Sequence, residues 1–369
     1  MRDHAPFVLL TTDYPPQRGG VARYLSALVE GSSGQMRVIV PEELRATGDQ
    51  VERKHLFWSV WPRWWPMVRV CRELGADPCT LVVSQILPVG TAARIARMFG
   101  GAPYVVICHG MDVRLAERSS WKRSLARWIL RGATRVIANS HSTSDVVTRI
   151  SGIVPGIVYP GGVRTDLPDR GTARTRLGVG SEEHVILSVA RLVERKGIDH
   201  LISAVGMLPT ADQVRLVVIG DGPELKLLQS AAQGSPHRID FFTDASDACA
   251  AEWYAASDVF CLPARESSTD VEGFGIVFIE AASAGLPVIA GKTGGVSEAV
   301  VDGETGLLID PTDTRELART LLRVLGDADL RKRLGDAGRM RALRDFRWET
   351  RWSQLIAVLA SGEMRIHQK

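Results

Sequence analysis

The stretch DVFCLPARESSTDVEGFGIVFIEAASAGLPVIAG, residues 258–291, reads as strand (258–263), loop, helix (276–285) and strand (287–291). Two short apolar strands joined by a helical crossover run parallel, because an antiparallel pair needs only a tight turn. The same alternation extends in both directions. Apolar, β-branched runs recur at 7–12, 36–40, 81–86, 104–108 and 135–140, and again at 184–190, 214–220 and 239–242. Continuous apolar strands separated by helical patterns belong to parallel sheets covered on both faces. One Pro/Gly-rich segment, VPGIVYPGGVRTDLPDRGTA at 154–173, interrupts the pattern, and a hinge is expected near 160–180. The expected fold class is therefore α/β, with two doubly wound lobes and ligands beyond the carboxyl ends of the strands, in a central cleft between the lobes. The tail reads as three helices, 314–326, 328–346 and 348–364, with Asp313 or Thr314 and Asp327 at cap positions.

A chain of 369 residues supplies about two domains. Its 45% hydrophobic and 24% charged residues exclude a disordered or fibrous protein. No apolar run approaches the roughly 18 residues of a membrane-spanning helix. The apolar run Phe7 to Leu10 is too short for a secretory signal, and the chain is read as cytoplasmic. The five cysteines, Cys71, Cys79, Cys108, Cys249 and Cys261, form no C-x-x-C pair, so buried reduced thiols are expected rather than disulfides or zinc ligands. The net charge of +3 hides an asymmetry: residues 1–165 carry 21 Lys and Arg against 12 Asp and Glu, and the remainder carries 24 against 30. The basic half also holds HLFWSVWPRWWPMVRVCREL (55–74) and WKRSLARWILRG (121–132). Tryptophan beside arginine on one amphipathic surface fits peripheral contact with an anionic membrane, and packing of the rings in a core is the alternative.

Several residues at strand ends have the chemistry of a site. Glu272 and Glu280 stand eight residues apart, about 12 Å along a fully helical path. That exceeds the separation of a glycosidase carboxylate pair and suits the two ends of a nucleotide diphosphate-sugar, Glu272 toward the sugar and Glu280 on the ribose. Between them Gly273, Phe274, Gly275 and Ile276 open a helix whose N–H groups would stabilise phosphate. Arg191 and Lys196 follow the strand at 184–190 and would neutralise a departing diphosphate. Gly19 and Gly20 precede a helix near Val21 and allow close backbone approach to an anionic ligand. His109 ends the strand at 104–108, where a substrate contact is expected. Asn139, Ser140 and Ser142 read as loop and cap residues, and His141 has no evident partner. A G-x-G-x-x-G fingerprint is absent, which removes the main support for a nicotinamide dehydrogenase. No strand-end D-x-D occurs, so no metal is implied, and Asp327-Ala-Asp329 reads as helix capping.

Taken together, PPQRGGVARY (15–24), CHGMD (108–112), ANSHSTSDVV (138–147), SVARLVERKG (188–197), VIGDGPEL (218–225), DVEGFGIVFIEAASAGLPVIAG (270–291), GGVSEAV (294–300) and DGETGLLID (302–310) resemble the retaining glycosyltransferases of family 4. The resemblance covers nearly the whole chain and implies the GT-B fold, with an acceptor-binding lobe at 1–165, joined by the helix 348–364, and a donor-binding lobe at 166–347. It implies that Arg191 and Lys196 bind the donor diphosphate, that Glu272 and the N–H groups of Phe274 and Gly275 lie near the transferred sugar, and that Glu280 holds the ribose. It puts Gly20 on the acceptor-side loop and His109 at the sugar. The family's P-N-G-V-D appears here as Pro160-Gly161-Gly162-Val163-Arg164. The resemblance further implies front-face attack within an ion pair, with no cofactor beyond the nucleotide-sugar co-substrate. The stretch LPARESSTDVEGFGIVFIEA is especially similar to GDP-mannose-dependent phosphatidylinositol mannoside mannosyltransferases, so GDP-mannose and a lipid, glycolipid or polyol acceptor are expected, at the inner face of the cell membrane, with no nucleic acid. A family member using UDP-glucose or UDP-N-acetylglucosamine and a soluble acceptor, an epimerase or phosphorylase, and a catalytically silent nucleotide-sugar-binding scaffold remain alternative readings.

Overall fold

The computed structural model describes residues 6–17, 19–266 and 271–361. The chain divides into two compact units, Met1–Pro160 with Trp348–Lys369, and Gly161–Arg347. The first is built on a seven-stranded sheet of β1 (Phe7–Leu10), β2 (Met36–Pro41), β3 (Val51–Lys54), β4 (Thr80–Val83), β5 (Tyr104–Cys108), β6 (Arg135–Ala138) and β7 (Gly156–Ile157). Its strand order is β3-β2-β1-β4-β5-β6-β7, every pairing parallel. The second holds β8 (His184–Val189), β9 (Val214–Ile219), β10 (Arg238–Phe242), β11 (Val259–Leu262), β12 (Val288–Gly291) and β13 (Gly306–Ile309), in the order β10-β9-β8-β11-β12-β13, again all parallel.

The apolar strands are continuous because each face of the sheet is covered. Val8, Leu10, Leu81, Val83, Tyr104, Val106 and Val136 pack on one side of the first sheet with Met67, Ala92, Ile129 and Val147 from the helices Trp65–Glu73, Thr91–Met98, Ser120–Gly132 and His141–Ser151. The intervening Leu9, Val82, Val105 and Ile137 pack on the other with Leu25 and Leu28 of the helix Gly20–Gly31. That second face is completed by the last described helix, Arg351–Ala360, through Trp352 and Leu355. Trp352 meets Phe7 edge-on at 5.4 Å, and the buried Arg351 donates to the carbonyl of Tyr159 at 3.1 Å.

Three strands depart from the sequence expectation. β3 is the charged run Val51–Lys54 at a sheet edge, half-exposed and without an apolar pattern. β7 has two residues and lies inside the Pro/Gly-rich segment read as an interruption, and β13 begins at Gly306 inside DGETGLLID. The tail helices form at Thr314–Gly326 and Ala328–Asp345, capped by Asp313 and Asp327, whose carboxylates accept from Glu316 N and Leu330 N. The last helix is shorter than expected: one 3-10 turn at Trp348–Thr350 precedes Arg351–Ala360, and residues 362–364 lie outside the described ones. All five thiols are free, with Cys249 only half-buried. No described helix is long and apolar enough to cross a membrane.

Because Trp352 seals one face of the first sheet, Trp352→Ala should cost about 3 kcal/mol in urea unfolding, the usual price of emptying a buried aromatic site. A loss below 1 kcal/mol would show that the C-terminal helix is not part of this core.

Candidate functional site

In the second unit, the loops that leave the carboxyl ends of β8 and β11 bring one carboxylate onto two cations. β8 runs into Arg191, a 3-10 turn at Glu194–Lys196, and the helix Ile198–Val205. Gly197 joins turn to helix at φ +67°, and a Cβ there would stand 2.2 Å from the carbonyl oxygen of Pro263. The two loops therefore touch backbone to backbone, a contact only glycine permits. After β11 the chain reaches Val271 and Glu272, and the N–H of Gly295 donates to the Glu272 carbonyl at 2.9 Å. Glu272 Oε2 then accepts from Lys196 Nζ and from Arg195 at 2.9 Å. Lys196 and Glu272 are both buried. Burial pushes the Glu272 carboxyl up, and the charges of Lys196 and Arg195 overcome it and hold the group near pKa 2.

The helix Ile276–Ser283 starts next to this pair. Gly275 precedes it at φ +87°, with Phe278 where a Cβ would point, at 2.4 Å. The N–H groups of Gly275 and Ile276 have no partner among the described residues and carry the positive end of the helix dipole. Phe274 is buried against Phe346 at 5.5 Å between ring centroids. Four residues into the helix, Glu280 is 2% exposed and accepts from the Tyr254 hydroxyl at 2.9 Å. Since the helix begins only at Ile276, the helical path assumed between Glu272 and Glu280 holds for just its second half.

The first unit carries a different set. His109 follows β5, its N–H donates to Asp112 Oδ1 at 3.0 Å, and its carbonyl accepts from Asn139 at 3.2 Å. The ring stands edge-on to Tyr24 at 5.6 Å, and Nε2 is buried without a hydrogen-bond partner among the described residues. Burial lowers His109 to a pKa of about 4, so the imidazole is neutral at pH 7. Asp112 is pushed by burial up to about 6, against the N–H groups of His109, Val113, Ile86 and Asp112 that favour its charge. Gly19 and Gly20 are exposed at the start of the helix Gly20–Gly31.

Lys196, Glu272, Phe274, Gly275 and Ile276 thus come together, with Glu280 on the same helix. Arg191 is exposed just past the end of β8 and has no ion-pair partner among the described residues. Lys196, by contrast, is engaged by the Glu272 carboxylate. Ser140 caps the helix His141–Ser151 by accepting from Thr143 N, as a cap residue should. His141 does have a neighbour, Tyr159, edge-on at 6.3 Å. Sequence reasoning passed over Arg195, Tyr254 and the polar cluster beyond β1 and β4, where Ser84 donates to Thr11 at 2.7 Å and Thr12 to Gln85 at 2.8 Å. Arg195 and the polar cluster had only their position at the carboxyl ends of strands as an advance signal, and Tyr254, inside the helix Asp247–Ala256, had none. Asp270, the first residue of the quoted DVEGFG motif, and the preceding Ser267 to Thr269 lie outside the described residues.

Two parallel-sheet α/β units, the second with cations and a helix N-terminus at its strand ends, define a Rossmann-like protein equipped for an anionic ligand. The chain belongs to the glycosyltransferases: the Glycosyl transferases group 1 family matches residues 169–341 and Glycosyltransferase Family 4 matches residues 18–167. The GDP-mannose-dependent alpha-(1-6)-phosphatidylinositol monomannoside mannosyltransferase of Mycolicibacterium smegmatis is 32% identical, over 98% of this chain and 100% of that protein. The GDP-mannose-dependent monoacylated alpha-(1-6)-phosphatidylinositol monomannoside mannosyltransferase of Corynebacterium glutamicum is 28% identical, over 96% and 97%. Sucrose-phosphate synthase from Thermosynechococcus elongatus shares the fold, with a TM-score of 0.81 at 23% identity over 96% of this chain and 98% of that one. The chain is accordingly a glycosyltransferase with the GT-B fold.

Glu272 carries a linked pH signature. Its folded pKa lies below its unfolded value near 4.5, so its ion pairs stabilise fully above that value and progressively less as pH falls toward 2. Glu272→Gln does not titrate. The stability difference between wild type and Glu272→Gln should therefore shrink by about 2 kcal/mol between pH 5 and pH 3 in urea unfolding. A constant difference would mean that the carboxylate is not held by Lys196 and Arg195.

Proposed function

We propose that this glycosyltransferase moves mannose from GDP-mannose to a hydroxyl of a glycolipid acceptor with retention of configuration, without a metal, as a peripheral protein on the inner face of the cell membrane. The observation that carries the reading is the kinship with the two mannosyltransferases above, which match almost end to end and are named for GDP-mannose and phosphatidylinositol mannosides. The site is consistent with it. In this reading Arg191, Lys196 and the N–H groups of Gly275 and Ile276 take the diphosphate, Glu280 the ribose and Glu272 the mannose. As the bond from the anomeric carbon to the β-phosphate oxygen breaks, its electron pair goes to that oxygen, where Arg191 and Lys196 offset the new charge. The acceptor oxygen attacks from the face the diphosphate is leaving, and its proton passes to the departing phosphate. The neutral His109, with its unpartnered Nε2, serves as a hydrogen-bonding contact to the sugar. Gly19 and Gly20 let the backbone close on the substrates.

The membrane part rests on the surface of the first unit. Trp58, Val60, Trp61, Trp65 and Trp121 are all exposed, Trp61 by 87%. They belong to the segments that cover one face of the first sheet, where residues 60–132 hold 11 Lys and Arg against 4 Asp and Glu. Indole rings in a basic surface suit the headgroup level of an anionic bilayer. Core packing accounts for Trp64 and Trp128, which lie against the buried cluster, and not for the exposed rings.

Purified enzyme incubated in EDTA with radiolabelled GDP-mannose and extracted phosphatidylinositol mannosides should yield a labelled lipid product. Transfer from UDP-glucose or UDP-N-acetylglucosamine in place of GDP-mannose would overturn the donor assignment. Replacing Arg191 and Lys196 together with Ala should lower kcat/KM at least about a thousandfold, on the scale of lost transition-state charge contacts. In cosedimentation, vesicles containing phosphatidylglycerol should retain the protein at low salt and release it at high salt, and Trp61→Ala with Trp65→Ala should weaken retention. Equal recovery with purely zwitterionic vesicles would contradict an anionic surface.

A further inference from the structure

Arg164 stands where the family sequence carries an acidic residue, and its surroundings give it a task. Its side chain is 3% exposed, and the guanidinium pairs with Asp166 at 2.6 Å and donates to the Asp247 carbonyl at 3.0 Å. The same guanidinium lies over the Tyr254 ring, 5.4 Å from its centroid. The hydroxyl of that tyrosine donates to Glu280 Oε2 at 2.9 Å. The Arg164 backbone N–H donates to Ser283 Oγ at 3.1 Å, and Ser283 Oγ donates in turn to the carbonyl of Glu280 at 2.8 Å. Arg164 therefore reaches Glu280 by two routes, through the ring of Tyr254 and through the last turn of the helix Ile276–Ser283. Burial works against the Arg164 charge, and Asp166 and Glu280 more than offset it.

We propose that Arg164 is a positioning residue for Glu280: it pins the Tyr254 ring by a cation–π contact, so that the hydroxyl fixes Oε2 and the carboxylate faces the ribose hydroxyls of the donor. A buried carboxylate at 2% exposure needs such support, because its own burial is costly without polar partners and a nearby cation. The inference rests on the assignment of Glu280 to the ribose.

The test is a thermodynamic cycle read by calorimetric titration, with GDP and 2′,3′-dideoxy-GDP as the two probes and Arg164→Met and Arg164→Lys as the variants. Wild type should bind GDP about tenfold more tightly than the dideoxy compound. Arg164→Met should lose most of that discrimination through weaker GDP binding, with dideoxy-GDP and inorganic pyrophosphate held within about twofold of wild type. Arg164→Lys, which keeps the charge, should recover discrimination to within about threefold. If wild type discriminates and Arg164→Met does so equally, the positioning role is overturned while the ribose assignment stands. If wild type binds both nucleotides alike, the ribose assignment falls and the inference with it. Parallel loss of pyrophosphate binding in Arg164→Met would show a general structural role instead.

Discussion

Two buried acidic side chains, Glu272 and Glu280, stand on a single loop and helix in a desolvated setting, and the second unit is organised around how each is partnered. Glu272 is met by Lys196 and Arg195, delivered by a turn after a different strand. Glu280 is met by the Tyr254 hydroxyl. An unpaired buried charge would cost several kcal/mol, so the cations and the tyrosine are conditions for placing acids there at all. The compensation also sets chemistry. A carboxylate held near pKa 2 remains an acceptor of hydrogen bonds at every physiological pH and is a poor source of protons.

The backbone makes that arrangement possible. β8 and β11 are adjacent and parallel, so the loops leaving them emerge side by side at one end of the sheet. Their approach is close enough that Arg265 N–H donates to the Arg195 carbonyl at 2.7 Å, which ties the turn carrying both cations to the strand that leads toward Glu272. Lys196 and Glu272, 76 residues apart, meet because two parallel strands end together. In the first unit the loops after β1 and β4 meet by the same logic, where Ser84 donates to Thr11 and Gln85 to Asp13, while the neutral His109 after β5 donates its backbone N–H to Asp112.

How much of this was legible in the sequence follows from what patterning encodes. Nine of the ten strands read from the sequence are largely buried and so carry mostly apolar runs; the tenth, β10, is a half-exposed edge still marked by Ile239, Phe241 and Phe242. β3, with Val51-Glu52-Arg53-Lys54 on a half-exposed edge, writes none, and the two residues of β7 are too short to write one. The acidic pair, both cations and His109 could be named from their places after strands. Their pairing could not, since nothing local says that Lys196 will close on Glu272 rather than stay open beside Arg191. Arg195 looked like any surface arginine of a turn, and Tyr254 like one more buried aromatic of the helix Asp247–Ala256. The departure from the family pattern at Arg164 was visible, and its stacking over Tyr254 was not.

The most direct test of the account is a crystal structure of the protein with GDP-mannose bound. The account predicts the diphosphate on Arg191, Lys196 and the N–H groups of Gly275 and Ile276, with the ribose hydroxyls on Glu280. A nucleotide seated elsewhere, with Lys196 and Glu280 untouched, would contradict it.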